Sequence, residues 1–184
     1  MATITTRLTI DDFEKLPDDV AKGHELVNGE LVDVSGNVGD HNKTRDWAAH
    51  LFLSFVSERG LGDVVTEQEY DFDGNAHGPD VSFYGPEKVP LFQGNKRVQP
   101  FVPDLAIEIE SANDTLRALV RKKDRYRKCG TKEVWLVVME SREVWVFSDH
   151  GNQILGEDNE LSTPLIPGFQ IAVKRLFERI PTRS

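Results

Sequence analysis

The chain has 184 residues and a mass of 20.8 kDa, with 39% hydrophobic and 29% charged side chains, which is enough apolar content for one domain with its own core. A single cysteine, Cys129, excludes an internal disulfide and any cysteine-built zinc site, and a formal net charge of −9 argues against broad, nonspecific attraction to nucleic acid. No apolar run reaches bilayer length and the opening residues lack the layout of a signal peptide, so the expectation is a cytoplasmic protein with no membrane partner.

In chain order, Leu8 to Leu16 predicts a short lead-in helix capped by Thr9 and ended by Pro17. His24 to Val34 predicts a hairpin, because Asn28-Gly29 supplies the positive φ angles of a type I′ turn. A long helix spans Asp40 to Gly60, with Trp47, Ala48, Leu51, Phe55 and Val56 on its apolar stripe and His41 turned towards that side in the first turn. Val64 to Phe72 alternates as one half-covered strand, ended by a turn at Asp73-Gly74-Asn75. Pro79 to Tyr84 reads as a short strand in which Asp80 shares a face with Ser82 and Tyr84. Gly85 to Pro100 reads as a loop long enough to form a substrate-facing rim.

Leu105 to Glu110 alternates again and sets Glu108 and Glu110 on one face of an apolar strand. A carboxylate there is costly unless a cation or a donor meets it. The helix that follows carries Arg117, Arg121, Lys122, Lys123, Arg125, Arg127 and Lys128, seven of the 22 basic residues. Asn113 or Asp114 is its expected cap, Leu116, Leu119, Val120 and Tyr126 its buried stripe, and Gly130 its stop. Two strands, Glu133 to Met139 and Glu143 to Phe147, then flank a turn at Glu140-Ser141-Arg142. Polar turns and a short helical stretch near Arg175 to Ile180 complete the chain, with no chemistry assigned to them. The order of elements predicts an α/β domain over residues 1–184: a lead-in (1–20), a core (21–150) and a C-terminal extension (151–184).

Asp80 and Glu108, expected on neighbouring strands with a helix amine beside them, are the kind of set that can hold a divalent metal and activate water against a phosphodiester. Structural readings stand beside this one. Asp80 after Pro79 shapes a turn, and Glu108 pairs with Arg121 or Lys122. His41 is either a partly buried histidine with a satisfied hydrogen bond or a group that supports the site or touches substrate phosphate. His77, three residues before Asp80, makes only a weak zinc motif without cysteines. Gly60-Leu61-Gly62 is no dinucleotide loop, since Val65 stands where a third glycine is needed. Cys129 reads as packing at a helix end.

Several segments carry a family resemblance: Glu25-Leu26-Val27-Asn28-Gly29-Glu30-Leu31, His41, Pro79-Asp80-Val81, the run from Pro103 to Ser111 containing Asp104-Leu105-Ala106-Ile107-Glu108-Ile109-Glu110, then Lys122, Tyr126 and Gly130 at four-residue steps, and Glu133-Val134-Trp135-Leu136-Val137. In this order and spacing the chain resembles, over nearly its whole length, the Uma-type endonuclease family of the PD-(D/E)XK restriction-endonuclease-like superfamily. The resemblance implies a restriction-endonuclease-like mixed β-sheet flanked by helices, with an N-terminal β-hairpin. It implies a metal-dependent endonuclease acting on nucleic acid, with DNA the expected substrate and a homodimer the expected assembly. The implied ion is Mg²⁺ or Mn²⁺, held by Asp80, Glu108 and the backbone carbonyl of Ile109, with Glu25 extending the acidic cluster.

The chain departs from the superfamily pattern at Glu110, where lysine is expected. Relatives take the amine from the following helix, which corresponds to Lys122 here. Lys123 is the alternative, being nearer the centre of the expected apolar stripe. Glu110 then becomes a supplementary ligand or the ion-pair partner of one of these lysines. Two other readings compete: a catalytically inactive module that binds nucleic acid or dimerises, and a hydrolase of small phosphate esters. Trp145 and Phe147 offer a candidate dimer surface, although core packing explains them equally well.

Overall fold

The structure is a computed structural model describing residues 7–36, 39–111 and 115–181. Helix α1 (Ile10–Glu14) begins where Thr9 and Asp12 cap it reciprocally, the Thr9 side chain accepting the Asp12 N–H and the Asp12 carboxylate accepting the Thr9 N–H at 2.9 Å. A second short helix, α2 (Asp18–Ala21), follows Pro17 directly and had no counterpart in the sequence reading. Strands β1 (His24–Val27) and β2 (Glu30–Asp33) form the expected hairpin, with Asn28 and Gly29 at φ 52° and 80°.

Helix α3 (Gly39–Ser57) buries His41, Thr44, Ala48, Phe52 and Val56. Its buried line therefore runs through Phe52, with Leu51 and Phe55 only flanking the core. Gly62 lets the chain leave this helix close to the sheet: at φ 130°, a Cβ there would lie 2.2 Å from the Tyr84 carbonyl oxygen. The single strand expected over Val64 to Phe72 is in fact two, β3 (Asp63–Thr66) and β4 (Glu69–Asp71), which enter different sheets. The break is at Glu67, whose φ of 53° re-aims the chain while leaving the alternation on either side intact.

Strands β5 (Ala76–His77), β6 (Val81–Tyr84), β7 (Val98–Gln99) and β8 (Leu105–Ile109) follow, and then helix α4 (Leu116–Lys128). After α4 come β9 (Glu133–Val138), β10 (Glu143–Ser148), β11 (Gly151–Leu155), β12 (Glu160–Ser162), β13 (Gln170–Ala172) and a 3₁₀ turn at Val173–Phe177. The main sheet has six strands in the order β11-β10-β9-β8-β6-β3, beside a five-stranded sheet β2-β1-β5-β4-β7 and the pair β12-β13. Strands β8 and β9 run parallel, so the crossover between them needs a helix, which is α4. All other pairs in the main sheet are antiparallel.

One face of the main sheet, carrying Val81, Phe83, Leu105, Ile107, Trp135 and Val137, packs on Ala48, Phe52 and Val56 of α3. The C-terminal segment closes this core with Phe169, Val173, Leu176 and Phe177. It is thus a packing segment and not the run of polar turns that its composition suggested. The other face, with Ala106, Val134 and Leu136, packs on Leu119 and Tyr126 of α4 and on Tyr70 and Phe72. Trp145 and Phe147 belong to this second cluster, half-buried against it, which assigns them to core packing. Among the described residues no helix is long and apolar enough to cross a membrane.

Candidate active site

Strand register brings the two predicted acids together. Strands β6 and β8 pair antiparallel with Val81 opposite Ile107, and continuing that register by one residue sets Asp80 across from Glu108. Residues directly opposite in an antiparallel pair share a face. Val81 and Ile107 point into the α3 core, so Asp80 and Glu108 point the other way, towards α4. Both are buried and both line one large cleft of ≈ 1660 Å³.

Helix α4 supplies the amine to this floor. Its buried residues are Leu119 and Tyr126, whereas Leu116 is 53% exposed. Lys122 lies between Leu119 and Tyr126 at helical spacing, on the same line. Its Nζ reaches Oε1 of Glu25 at 2.9 Å and Oε2 of Glu108 at 3.4 Å. Lys123 points elsewhere, pairing with Asp124 and sitting 4.8 Å from the centre of the Phe147 ring. The stripe expected from sequence included Leu116 and Val120, and that displaced its centre towards Lys123. Asn113 and Asp114, the expected caps, lie outside the described residues; Thr115 caps the helix through the Ala118 N–H.

The other acids are engaged as well. Asp80 accepts the backbone N–H of Ile109 at 2.7 Å and meets His41 Nε2 at 3.2 Å. Glu108 accepts the Tyr126 hydroxyl at 2.6 Å. Glu25, on β1, contacts Lys122, meets His77 Nδ1 at 2.8 Å and accepts the Gly78 N–H at 3.3 Å. Glu110 turns away from this cluster and accepts the Met139 N–H at 2.9 Å, ordering the end of β9. Its carboxylate oxygen caps a strand where a supplementary ligand or a lysine partner was expected. Because Glu110 donates its own N–H to Val137, the backbone groups of Ile109, one residue earlier, face the Asp80 side.

Burial and charge set the protonation of these groups. Burial drives the Glu108 carboxyl up, Lys122 opposes this, and the negative charges of Asp80 and Glu25 add to it, bringing it to about 8. Burial also disfavours ionised Glu25, but the Lys122 charge and the His77 hydrogen bond outweigh it and hold that carboxyl at about 2. Lys122 is raised, since the attraction of Glu108 and Glu25 overcomes its burial. Burial raises the Tyr126 hydroxyl, so it donates and does not ionise. Burial lowers the proton affinity of His41, but the hydrogen bond and charge of Asp80 leave it raised overall. Lys122 is thus a fixed ammonium between the carboxyl groups of Glu25 and Glu108, with the charge of Asp80 acting on it from farther off.

The cleft walls are the hairpin, the head of α3 with Asn42 and Arg45, and the α4 face with Arg121, Arg125 and Lys128. The segment from Gly85 to Pro100 was expected at the rim, yet it contributes only Arg97. Lys88 pins this segment to Asp104 at 2.8 Å instead. Sequence reasoning missed the contacts of three residues here: Tyr126 on Glu108, and His77 and Arg125 in contact with each other at 3.1 Å. The four-residue step from Lys122 to Tyr126 was the available signal for the first. Nothing local marked the pair, since 48 residues separate its members.

A mixed sheet with two acids at the open ends of adjacent central strands, met by a lysine from the crossover helix, defines a protein of the restriction-endonuclease-like class. The model of the Uma2 family, described as "Putative restriction endonuclease", matches residues 10–174, and the chain belongs to that family. Among solved structures it is similar to a "putative nuclease belonging to DUF820" from Anabaena variabilis, 21% identical, with a TM-score of 0.81 over 92% of this chain and 97% of that one. At that identity the likeness is one of fold, and it agrees with the fold expected from the sequence. No functionally curated protein matches the chain.

Proposed function

We propose that this protein is a metal-dependent endonuclease that hydrolyses phosphodiester bonds of DNA. The observation that carries the reading is the convergence of Asp80 and Glu108 at the cleft floor, with Lys122 3.4 Å from Glu108. The donor set fits Mg²⁺ or Mn²⁺. It consists of carboxylate oxygens, with neither cysteine nor histidine required, and Mg²⁺ is commonly held by one or two carboxylates with water and substrate completing the shell. Burial is the main cause of the raised proton affinity of Glu108, the charges of Asp80 and Glu25 add to it, and a bound cation would favour the ionised carboxylate. Asp80 and Glu108 would hold the ion, with the Ile109 carbonyl on the same side of the strand as a third donor.

When bound, the ion supplies polarisation of water and neutralisation of charge on the phosphate. The remaining steps belong to the chain. Lys122 orients the attacking water and stabilises negative charge as it develops. Tyr126 fixes the Glu108 carboxylate through the bond to Oε1, leaving lone pairs on both oxygens for other partners. His41 fixes Asp80 from the opposite side. Arg121 and Lys128, which make no hydrogen bond or ion pair among the described residues, receive phosphates of the bound strand.

Plasmid nicking with Mg²⁺ or Mn²⁺ tests the reading, using Asp80→Asn, Glu108→Gln and Lys122→Met. Each variant should lose activity; cleavage that survives all three overturns the assignment. A homodimer whose two sites address two strands belongs to the same reading, and sedimentation analysis of the free protein checks it.

A second reading is a nuclease fold that binds nucleic acid without cutting it. Two observations favour it. Asp80 and Glu108 already have internal partners, and among the described residues no three metal-binding side chains converge. Calorimetry with Mn²⁺ separates the two: stoichiometric binding lost in Asp80→Asn supports the enzyme, and absence of binding supports the inactive module.

A further inference from the structure

The cleft holds a buried histidine to which the reaction described above gives no role. His77, 3% exposed, lies between Glu25 and Arg125. An arginine has only donors, so Arg125 Nη1, 3.1 Å from Nε2 of His77, requires a lone pair on that nitrogen. The ring proton therefore sits on Nδ1, where it is donated to Oε2 of Glu25 at 2.8 Å. With Nδ1 donating to Glu25 and Nε2 accepting from the guanidinium, the two contacts together select one tautomer of the ring. Glu25 presents its other oxygen to Lys122 at 2.9 Å and to the Gly78 N–H at 3.3 Å. The Tyr126 ring meets His77 edge-on at 5.7 Å and limits its rotation.

We propose that His77 is a positioning residue for Lys122. Locked by Arg125, it orients the Glu25 carboxylate, which in turn holds the ammonium against Glu108. Glu25 then serves as the holder of the lysine, and the run Arg125–His77–Glu25–Lys122–Glu108 is one chain of contacts from the cleft wall to its floor. Arg125 also reaches Oδ1 of Asn28 at 3.4 Å, so the hairpin turn is tied to the same chain. The catalytic meaning of this inference rests on the nuclease reading, but the geometry can be tested without it.

Nitrogen NMR of the metal-free, full-length protein tests the lock. At neutral pH His77 should show a protonated Nδ1 and an unprotonated Nε2, and the Lys122 ammonium should give a signal slowed in exchange with water. An imidazolium, or a proton on Nε2, overturns the proposal. His77→Leu should lose the slowed ammonium signal and lower kcat by about 10- to 100-fold with little change in KM, the usual cost of removing a group that orients a functional one. His77→Asn keeps a donor near the place of Nδ1 and should retain both. An unchanged ammonium signal in His77→Leu, or an Asn variant as impaired as the Leu variant, overturns the proposal. If the wild-type protein cleaves nothing, the nuclease reading fails and the ammonium signal alone decides the role of His77.

Discussion

The Tyr126 hydroxyl donates a 2.6 Å hydrogen bond to Oε1 of Glu108. The two residues are 18 positions apart, at opposite ends of the β8–α4 crossover, and both are buried. This bond makes the distance between strand and helix part of the site, because Lys122 sits one helical turn before Tyr126 and inherits its placement.

Tyr126→Phe should leave a buried carboxyl with one donor fewer and cost about 1–3 kcal/mol of stability. Urea denaturation measures this directly. Activity should fall as well, since Glu108 becomes free to rotate. A variant of unchanged stability would mean that the bond is not formed in solution.

Lys122→Met should affect turnover and metal binding in opposite directions. Turnover should fall by about 10²- to 10³-fold, the usual loss when a preorganised charge-stabilising donor is removed. Mn²⁺ affinity should rise, because Glu25, Asp80 and Glu108 lose the cation that competes for them. Calorimetry and plasmid nicking on the same preparation check both. Weaker Mn²⁺ binding in this variant would show that Lys122 organises the acids more than it competes.

Arg121→Ala and Lys128→Ala should each weaken DNA binding evenly across sequences. Each should reduce the slope of log affinity against log salt by about 0.7–0.9, the value for one lost phosphate contact. Binding titrations in Ca²⁺ at several salt concentrations measure the slope. A slope equal to that of the wild type assigns these cations to solvent.

Glu69 should make the protein less stable as pH rises. Burial pushes its carboxyl up to about 7 from an ordinary 4.5, against the pull of Arg97 and with help from the charges of Glu25 and Glu14. The folded state therefore binds this proton more tightly than the unfolded chain does. Its contribution is fully present below about pH 4.5 and is lost as pH rises through about 7. Glu69→Gln should raise the urea midpoint at pH 8 and leave it unchanged near pH 4. An equal shift at both values would locate the effect in packing instead.

Much of this protein is legible from local signals. Thr9 with its reciprocal partner Asp12, the Asn28-Gly29 turn and the alternation from Leu105 to Ile109 involve residues within a few positions of one another. Caps, turns and strand period depend on backbone preferences that neighbours alone specify. The family resemblance added Asp80, Glu108 and Lys122 as a set, since spaced motifs survive without coordinates.

Tertiary structure decided what no local pattern encodes. That Lys122 meets Glu25 and Glu108 while Lys123 pairs with Asp124 follows from which side of α4 lies against Tyr70 and Phe72, with Leu116 left exposed. The turn at Glu67 divided one apparent strand between two sheets, because a single left-handed residue redirects a chain without disturbing its alternation. Glu110 was claimed by the end of β9, and His77 by Glu25 and Arg125, 52 and 48 residues away. Such contacts are set by strand register and helix rotation, which arise only when the whole core packs. Local sequence thus specified which groups are presented by strand and helix, and packing alone decided which of them meet.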